Sequence, residues 1–279
     1  MAPDHTPRRV VSLQPSATAI LATLDKLDRV VACTKYCADV CPEVAEREVA
    51  IVKDSWTVTA EEILATYPEL VIASVPYQEK SIGEILKAGV PFLGLAPKNL
   101  SDIYADIAMI AGVIGASDQG EAVIAKMQNE IENIRRRIAM RVRPRVYCEE
   151  WGKPLIASQK WVAELVEAAG GEFVGTAGAT TSCEAVRSED PDIVIAAWCG
   201  AGDRVPLEKI VRERGWTEMQ AVKQGRVYCI RDEFLNTPGP TLMRGLQALA
   251  ASIHPEDFPQ AAGLRCMTRG PMQAGQPKG

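Results

Sequence analysis

Histidine is almost absent: the chain holds two, His5 and His254, one near each end. That scarcity argues against a histidine general base and against a histidine-rich metal centre. Aromatic residues make up only 5% of the sequence. No Gly-x-Ser-x-Gly elbow, phosphate-binding P-loop or His-Glu-x-x-His is present, which disfavours hydrolase chemistry. No Gly-x-Gly-x-x-Gly follows the first apolar run, so a dinucleotide site lacks its fingerprint. No apolar stretch is long enough to span a bilayer. The opening MAPDHTPRRVVSL has basic residues but neither an apolar core nor a small-residue cleavage site, so as written the expected location is the cytoplasm. The net charge of -5 and isoelectric point near 5.3 exclude nucleic acid and anionic membrane as the main partner.

What is present is an ordinary globular composition, 47% hydrophobic and 24% charged over 279 residues. That length fits one large domain or two lobes. Short β-branched runs at 9–13, 29–33, 70–73 and 90–95 alternate with helical segments at 17–24 and 79–87. Ser16 is a natural N-cap for the first of these helices, and Thr59-Ala-Glu-Glu62 matches a capping box ending before Pro68. Strands separated by single helices predict a parallel sheet with helices on both faces. Ser117 then caps a segment of different character. From Asp118 to about Arg141 there is no proline, and Val123, Met127, Ile131, Ile134 and Ile138 keep a helical stripe. At about 1.5 Å per residue such a helix is roughly 35 Å long, the length of a stiff connector. Pro144 ends it, and the alternation resumes with strands at 145–148, 193–197 and 226–230 and helices at 160–169, 207–214 and 241–252. The predicted organisation is therefore an N-terminal α/β lobe over 8–116, a connecting helix over 117–141 and a C-terminal α/β lobe over 142–256. A Gly-, Pro- and Gln-rich tail over 257–279 is expected to be disordered. An internal echo supports two similar lobes: Tyr67-Pro-Glu-Leu-Val-Ile-Ala73 against Asp190-Pro-Asp-Ile-Val-Ile-Ala196.

Eight cysteines are many for a chain of this size. The series Cys33-x3-Cys37-x3-Cys41 is neither a standard zinc nor a standard disulfide spacing. Cys148 and Cys229 fall inside predicted strands and read as small core residues. Cys37, Cys41, Cys183 and Cys199 fall in or beside loops, where thiolates are candidates to hold a soft metal or an iron–sulfur cluster.

The order SLQPSATAIL, PELVIAS, PDIVIAA, QGRVY and NTPGPTLMRGLQALAASIHPE resembles the Fe/cobalamin-type periplasmic-binding domain, the helix-hinged (class III) solute-binding proteins of ABC transporters. The similarity runs from about Arg8 to Glu256. Its cobalamin-binding members are closest at CTKYCADVCPEVA, KDSWTVTAEEIL and RVYCEEWGKPL. The resemblance implies two Rossmann-like lobes with parallel sheets joined by one long helix, a ligand held between them and no catalysis. It also implies an ABC transporter permease as partner if the protein is exported, since the family is usually periplasmic or membrane-anchored outside the cell. One departure is the Ala-Asp-Val-Cys-Pro stretch, which lacks the family's tyrosine at that point, although Tyr36 lies nearby.

In open parallel sheets ligands sit beyond the carboxyl ends of the strands. That rule selects the loops 13–16, 34–42, 74–78 and 97–99 in the first half, and 149–153, 198–203 and 232–238 in the second. Tyr36, Trp56, Tyr77, Trp151, Trp198 and Phe234 lie in or next to these loops and suit a flat macrocycle such as cobalamin. Each also has a plain reading as a plug of apolar packing. Ser12, Ser16 and Thr18 surround the first helix N-terminus, where N–H groups bind an anion or an amide, or where Ser16 only caps. By the family pattern, Glu79 and Glu184 are the exposed carboxylates that dock on transporter arginines. A ferric siderophore or haem is the competing ligand. Only Arg204 and Arg231 lie near the selected loops, and siderophores are anionic, so cobalamin is favoured. A cytoplasmic, cysteine-dependent metal- or corrinoid-handling protein is the third alternative. A monomer that needs no cofactor beyond its ligand is expected.

Overall fold

The computed structural model describes residues 5–74, 79–258 and 261–268. The chain divides into two compact units. One comprises the residues up to Glu132 together with Thr237–Met243, and the other Asn133–Asn236 together with the residues from Arg244 on.

The first unit has five parallel strands: β1 (Val10–Ser12), β2 (Val30–Thr34), β3 (Ala50–Val52), β4 (Leu70–Ser74) and β5 (Phe92–Leu95). Their order is β3-β2-β1-β4-β5. Val10 pairs with Val30 on one side and Leu70 on the other. β1 and β4 are buried along their whole length, as strands covered on both faces must be. The helices are α1 (Pro15–Thr23), α2 (Lys35–Val40), α3 (Ala60–Leu64), α4 (Glu79–Lys87) and α5 (Leu100–Val113). The Thr59 capping box is present in both directions, with the Thr59 side chain accepting from the Glu62 backbone and the Glu62 side chain from the Thr59 backbone. Ser16 is not the cap of α1. The helix starts two residues earlier than expected, at Pro15, and Gln14 is the N-cap with no side-chain bond. Proline fits there because the first helical N–H has no intrahelical partner to lose. Helix α2, strand β3 and helix α5 were not anticipated. Ser117 likewise falls inside the next helix: α6 runs unbroken for 22 residues, Ser117–Ile138, and the division between the units falls within it. Gly120 brings α6 against α5, where an added Cβ would lie 2.5 Å from that of Ala111.

The second unit holds a mixed sheet: β6 (Arg145–Gly152), β7 (Leu155–Ala157), β8 (Glu172–Phe173), β9 (Thr180–Thr181), β10 (Ile193–Ala196), β11 (Val227–Ile230) and β12 (Leu264–Cys266). Strands β6, β10 and β11 pair in parallel, as the alternation predicts, and the short β8, which it did not predict, joins β6 in parallel. Three antiparallel pairings depart from the expectation. β6 turns back on β7, β7 pairs with β9, and β12 lies along β11. The last of these corrects the expectation for residues 257–279. Part of that stretch is a strand, fastened by Arg265 donating to the carbonyls of Asp203 and Val205 and by Thr268 bonded to Glu208; residues 269–279 lie outside the described residues. The helices are α7 (Lys160–Ala168), α8 (Cys183–Glu189), α9 (Leu207–Glu213), α10 (Gln220–Lys223), α11 (Glu233–Asn236) and α12 (Leu242–Ile253). The sequence echo is also a backbone echo. Tyr67 (φ 50°) and Asp190 (φ 38°) are both left-handed, each directly before the proline that leads into β4 or β10.

Candidate functional site

In both units the chemistry-bearing side chains gather at the carboxyl ends of the parallel strands. In the first, Tyr36 stands on α2 just beyond β2, exposed, with the Lys35 ammonium 4.8 Å from its ring. Trp56, also exposed, sits in the turn after β3. Its N–H donates to Asp54 at 3.1 Å, and its carbonyl accepts from the Ser81 hydroxyl at 2.7 Å. Ser12 does not serve a ligand here. It is fully buried, and its hydroxyl is engaged with Thr18 at 2.8 Å and the Gln14 carbonyl at 3.3 Å. Ser16 is buried as well. Tyr77 lies outside the described residues.

The second unit builds a pocket of about 420 Å³ whose lining includes Trp151, Gly152, Trp198, Pro206 and Ile210 together with the charged Lys153, Lys209 and Glu213. Trp151 is 43% exposed, with its indole N–H on the Lys153 carbonyl at 2.9 Å. Beneath Trp198 lies a charged network that sequence reading missed. Strand alternation puts Tyr147 and Glu149 on one face of β6. The Glu149 carboxylate, 2% exposed, accepts from both the Trp198 indole (2.6 Å) and Tyr147 (3.1 Å). It accepts twice from Arg214, at 2.8 and 3.0 Å. Burial, and then the Glu149 charge, push the Tyr147 phenol well above its usual range. Arg214 also donates to the Gly152 carbonyl and stacks over the Trp216 and Trp198 rings at 4.8 and 5.7 Å.

The loop after β10 is clamped from below. Asp232 accepts from the N–H groups of Gly200 and Gly202, both at 2.7 Å. Both glycines are left-handed (φ 78° and 60°), which lets their amides converge on one carboxylate. Asn236 ties the Ala197 carbonyl at 2.7 Å. No sequence signal joins Glu149 to Arg214, 65 residues away; the Gly-x-Gly of 200–202 was the one visible hint of a tight anchored loop. Phe234, expected at the site, is instead core: it is buried, with Arg231 and Arg244 against its ring and Gly263 packed on its edge.

The cysteines do not assemble into a donor set. Cys37 and Cys41 are buried in the first unit, while Cys183 and Cys199 belong to the second. Among the described residues, the one group of three His, Cys, Asp or Glu side chains spaced to hold a metal is His254, Glu256 and Asp257, with no cysteine in it. Asp257 there is already paired with Arg141 at 2.7 Å. Burial pushes the Cys37 thiol up, and hydrogen bonds from Cys33, Thr18 and Thr34 more than reverse this, bringing it to about 7. Cys33, bonded to Cys37 and buried, is pushed far up. Cys199 lines the pocket, and burial with the nearby Glu150 and Asp232 charges pushes its thiol up to about 12. Glu79 and Glu184 are both exposed in the first turns of α4 and α8. No described helix is long and apolar enough to cross a membrane.

Two α/β units, aromatics at strand ends and a mostly apolar pocket define a solute-binding module rather than a catalytic centre. The chain belongs to the periplasmic binding protein family, whose model matches residues 10–234; it is a solute-binding protein of ABC uptake systems and not an enzyme. It is 26% identical to an uncharacterized ABC transporter substrate-binding lipoprotein of Bacillus subtilis (strain 168), over 90% of this chain and 82% of that one. It is 24% identical to a cobalamin-binding protein of Halobacterium salinarum, over 90% of this chain and 70% of that one. In fold it is similar to a periplasmic heme binding protein from Pseudomonas aeruginosa, with a TM-score of 0.83 at 19% identity, covering 94% of this chain and 99% of that one.

Proposed function

We propose that the solute is a corrinoid of the cobalamin class, delivered to an ABC permease. The observation that carries this reading is the Trp151–Trp198 pocket. Two indoles flank a mainly apolar hollow with no arginine in its lining, a surface suited to the edge of a broad, uncharged macrocycle. At about 420 Å³ it takes part of such a ligand. The relative named as cobalamin-binding supports the choice. Glu79 and Glu184 are assigned to docking on transporter arginines.

Haem is the second reading, favoured by the two ammonium groups of Lys153 and Lys209 in the pocket lining, which match a macrocycle with carboxylate arms. Titration followed by visible difference spectra, with hydroxocobalamin, haemin and a ferric siderophore in separate arms, decides between them. Saturable micromolar or tighter binding of hydroxocobalamin alone is the expected result. Binding of haemin alone, weakened by Lys153→Ala with Lys209→Ala, replaces the corrinoid reading with the second. A response only to the ferric siderophore rejects both.

A further inference from the structure

Trp198 is held more firmly than a wall residue needs to be. A carboxylate and a guanidinium have been taken out of water beneath it, with Glu149 2% and Arg214 10% exposed. Apolar residues of the same volume stabilise a fold as well as a buried ion pair or better. A stability role alone therefore does not account for the pair. Its hydrogen bonds point to another role. Glu149 takes the Trp198 indole N–H at 2.6 Å, and Arg214 faces that ring at 5.7 Å while donating to the Gly152 carbonyl at 3.2 Å. Gly152 completes the arrangement by leaving room for the ring. A Cβ there would lie 2.4, 2.7 and 2.8 Å from three indole carbons.

We infer that the Glu149–Arg214 pair is a positioning device that fixes the Trp198 indole against Gly152 as a preformed pocket wall, and that ligand affinity at this wall is set by the pair. The second clause rests on the pocket's being the ligand seat, as proposed above; the first does not. A wall fixed in advance loses less freedom when the ligand arrives, so the pair contributes to affinity without touching the ligand.

The test uses three variants of the full chain, each made with and without Trp198→Phe, so that subtraction isolates the emission of Trp198 from the other tryptophans. Arg214→Met removes the cation, Glu149→Gln keeps the shape but weakens the grip on Arg214, and Gly152→Ala displaces the ring while leaving both charges intact. In the ligand-free protein, the Trp198 share of the emission should shift to the red, with acrylamide quenching rising about twofold in Arg214→Met and Gly152→Ala and less in Glu149→Gln. The Kd for hydroxocobalamin should rise about tenfold in the first two. Should Arg214→Met fail to fold by circular dichroism, Gly152→Ala and Glu149→Gln decide the matter. Unchanged Trp198 emission in the folded variants overturns the positioning role. A shifted emission with unchanged Kd overturns the claim on affinity. If the parent chain does not bind hydroxocobalamin, the corrinoid reading fails by itself, and the emission data still decide the positioning role.

Discussion

The two units bury carboxylates in opposite ways. In the first, Asp106 on α5 is 5% exposed, and the charge that acts on its carboxyl is the like charge of Asp102. Burial, and then the charge of Asp102, push it up to about 6. In the second, Glu149 is buried as deeply but receives Arg214, Trp198 and Tyr147. One unit keeps a buried acid under a like charge, whereas the other surrounds its acid with donors beside its pocket. The aromatics follow a similar division: Tyr36 and Trp56 are exposed on the short elements after β2 and β3, while Trp198 is half-buried and bonded to Glu149.

The largest effect is expected where the partners are most numerous. Glu149→Ala leaves the Arg214 guanidinium buried without its counter-charge and should cost the second unit about 3–5 kcal/mol in a denaturant titration. A loss below about 1 kcal/mol would show that the pair is hydrated after all and erase the contrast with Asp106.

Asp106→Asn should act with the opposite sign. A carboxyl whose folded pKa lies above its unfolded value binds the extra proton in the native state, so stability falls as pH rises between the two. For Asp106 the window runs from about 4 in the unfolded chain to about 6 in the folded one. Above it the native protein carries the whole penalty, and the variant should be more stable at pH 7 by about 1–3 kcal/mol, with the gain gone near pH 3. Thermal melts at both pH values check this; equal gains at both would assign the effect to packing rather than charge.

In ligand binding, Trp151→Ala and Trp56→Ala should each weaken hydroxocobalamin by about 1–3 kcal/mol, the scale of one lost aromatic face. Unchanged affinity in both removes them from the site.

The repeating parts were the legible ones. β1, β4, β10 and β11 are short runs rich in Val and Ile, and α6 has a clear stripe without proline, so local pattern sufficed. α5 was missed although Ile103, Ile107 and Ile110 form a buried stripe, because the apolar Ala105, Ala108, Met109 and Val113 on the exposed side blur it. Its cap, the Asn99 side chain accepting from the Asp102 N–H at 2.9 Å, was the available signal. α2 and β3 are too short for periodicity to register. The antiparallel strands β9 and β12 depend on pairing with neighbours distant in sequence, which no local pattern encodes, and β7, which turns back on β6 after only Lys153 and Pro154, is too short to show a pattern of its own. At the site, the aromatics could be placed at strand ends by rule, whereas the Glu149–Arg214 pair and the Asp232 clamp are long-range contacts and could not.

Helix caps supply the finest version of the comparison. Thr59 and Glu62 exchange bonds in both directions at the start of α3, while Ser182 at the start of α8 shows only the forward bond, accepting from Ala185 at 3.1 Å. Thr59→Ala removes both bonds of the hydroxyl, from the Glu62 N–H and to the Glu62 carboxylate, and leaves only the backbone bond to Glu62, so it should cost about 1–2 kcal/mol, against about 0.5–1 kcal/mol for Ser182→Ala. Urea midpoints on the two single variants measure the difference. If Ser182→Ala costs more, the start of α3 is set by tertiary packing rather than by its cap.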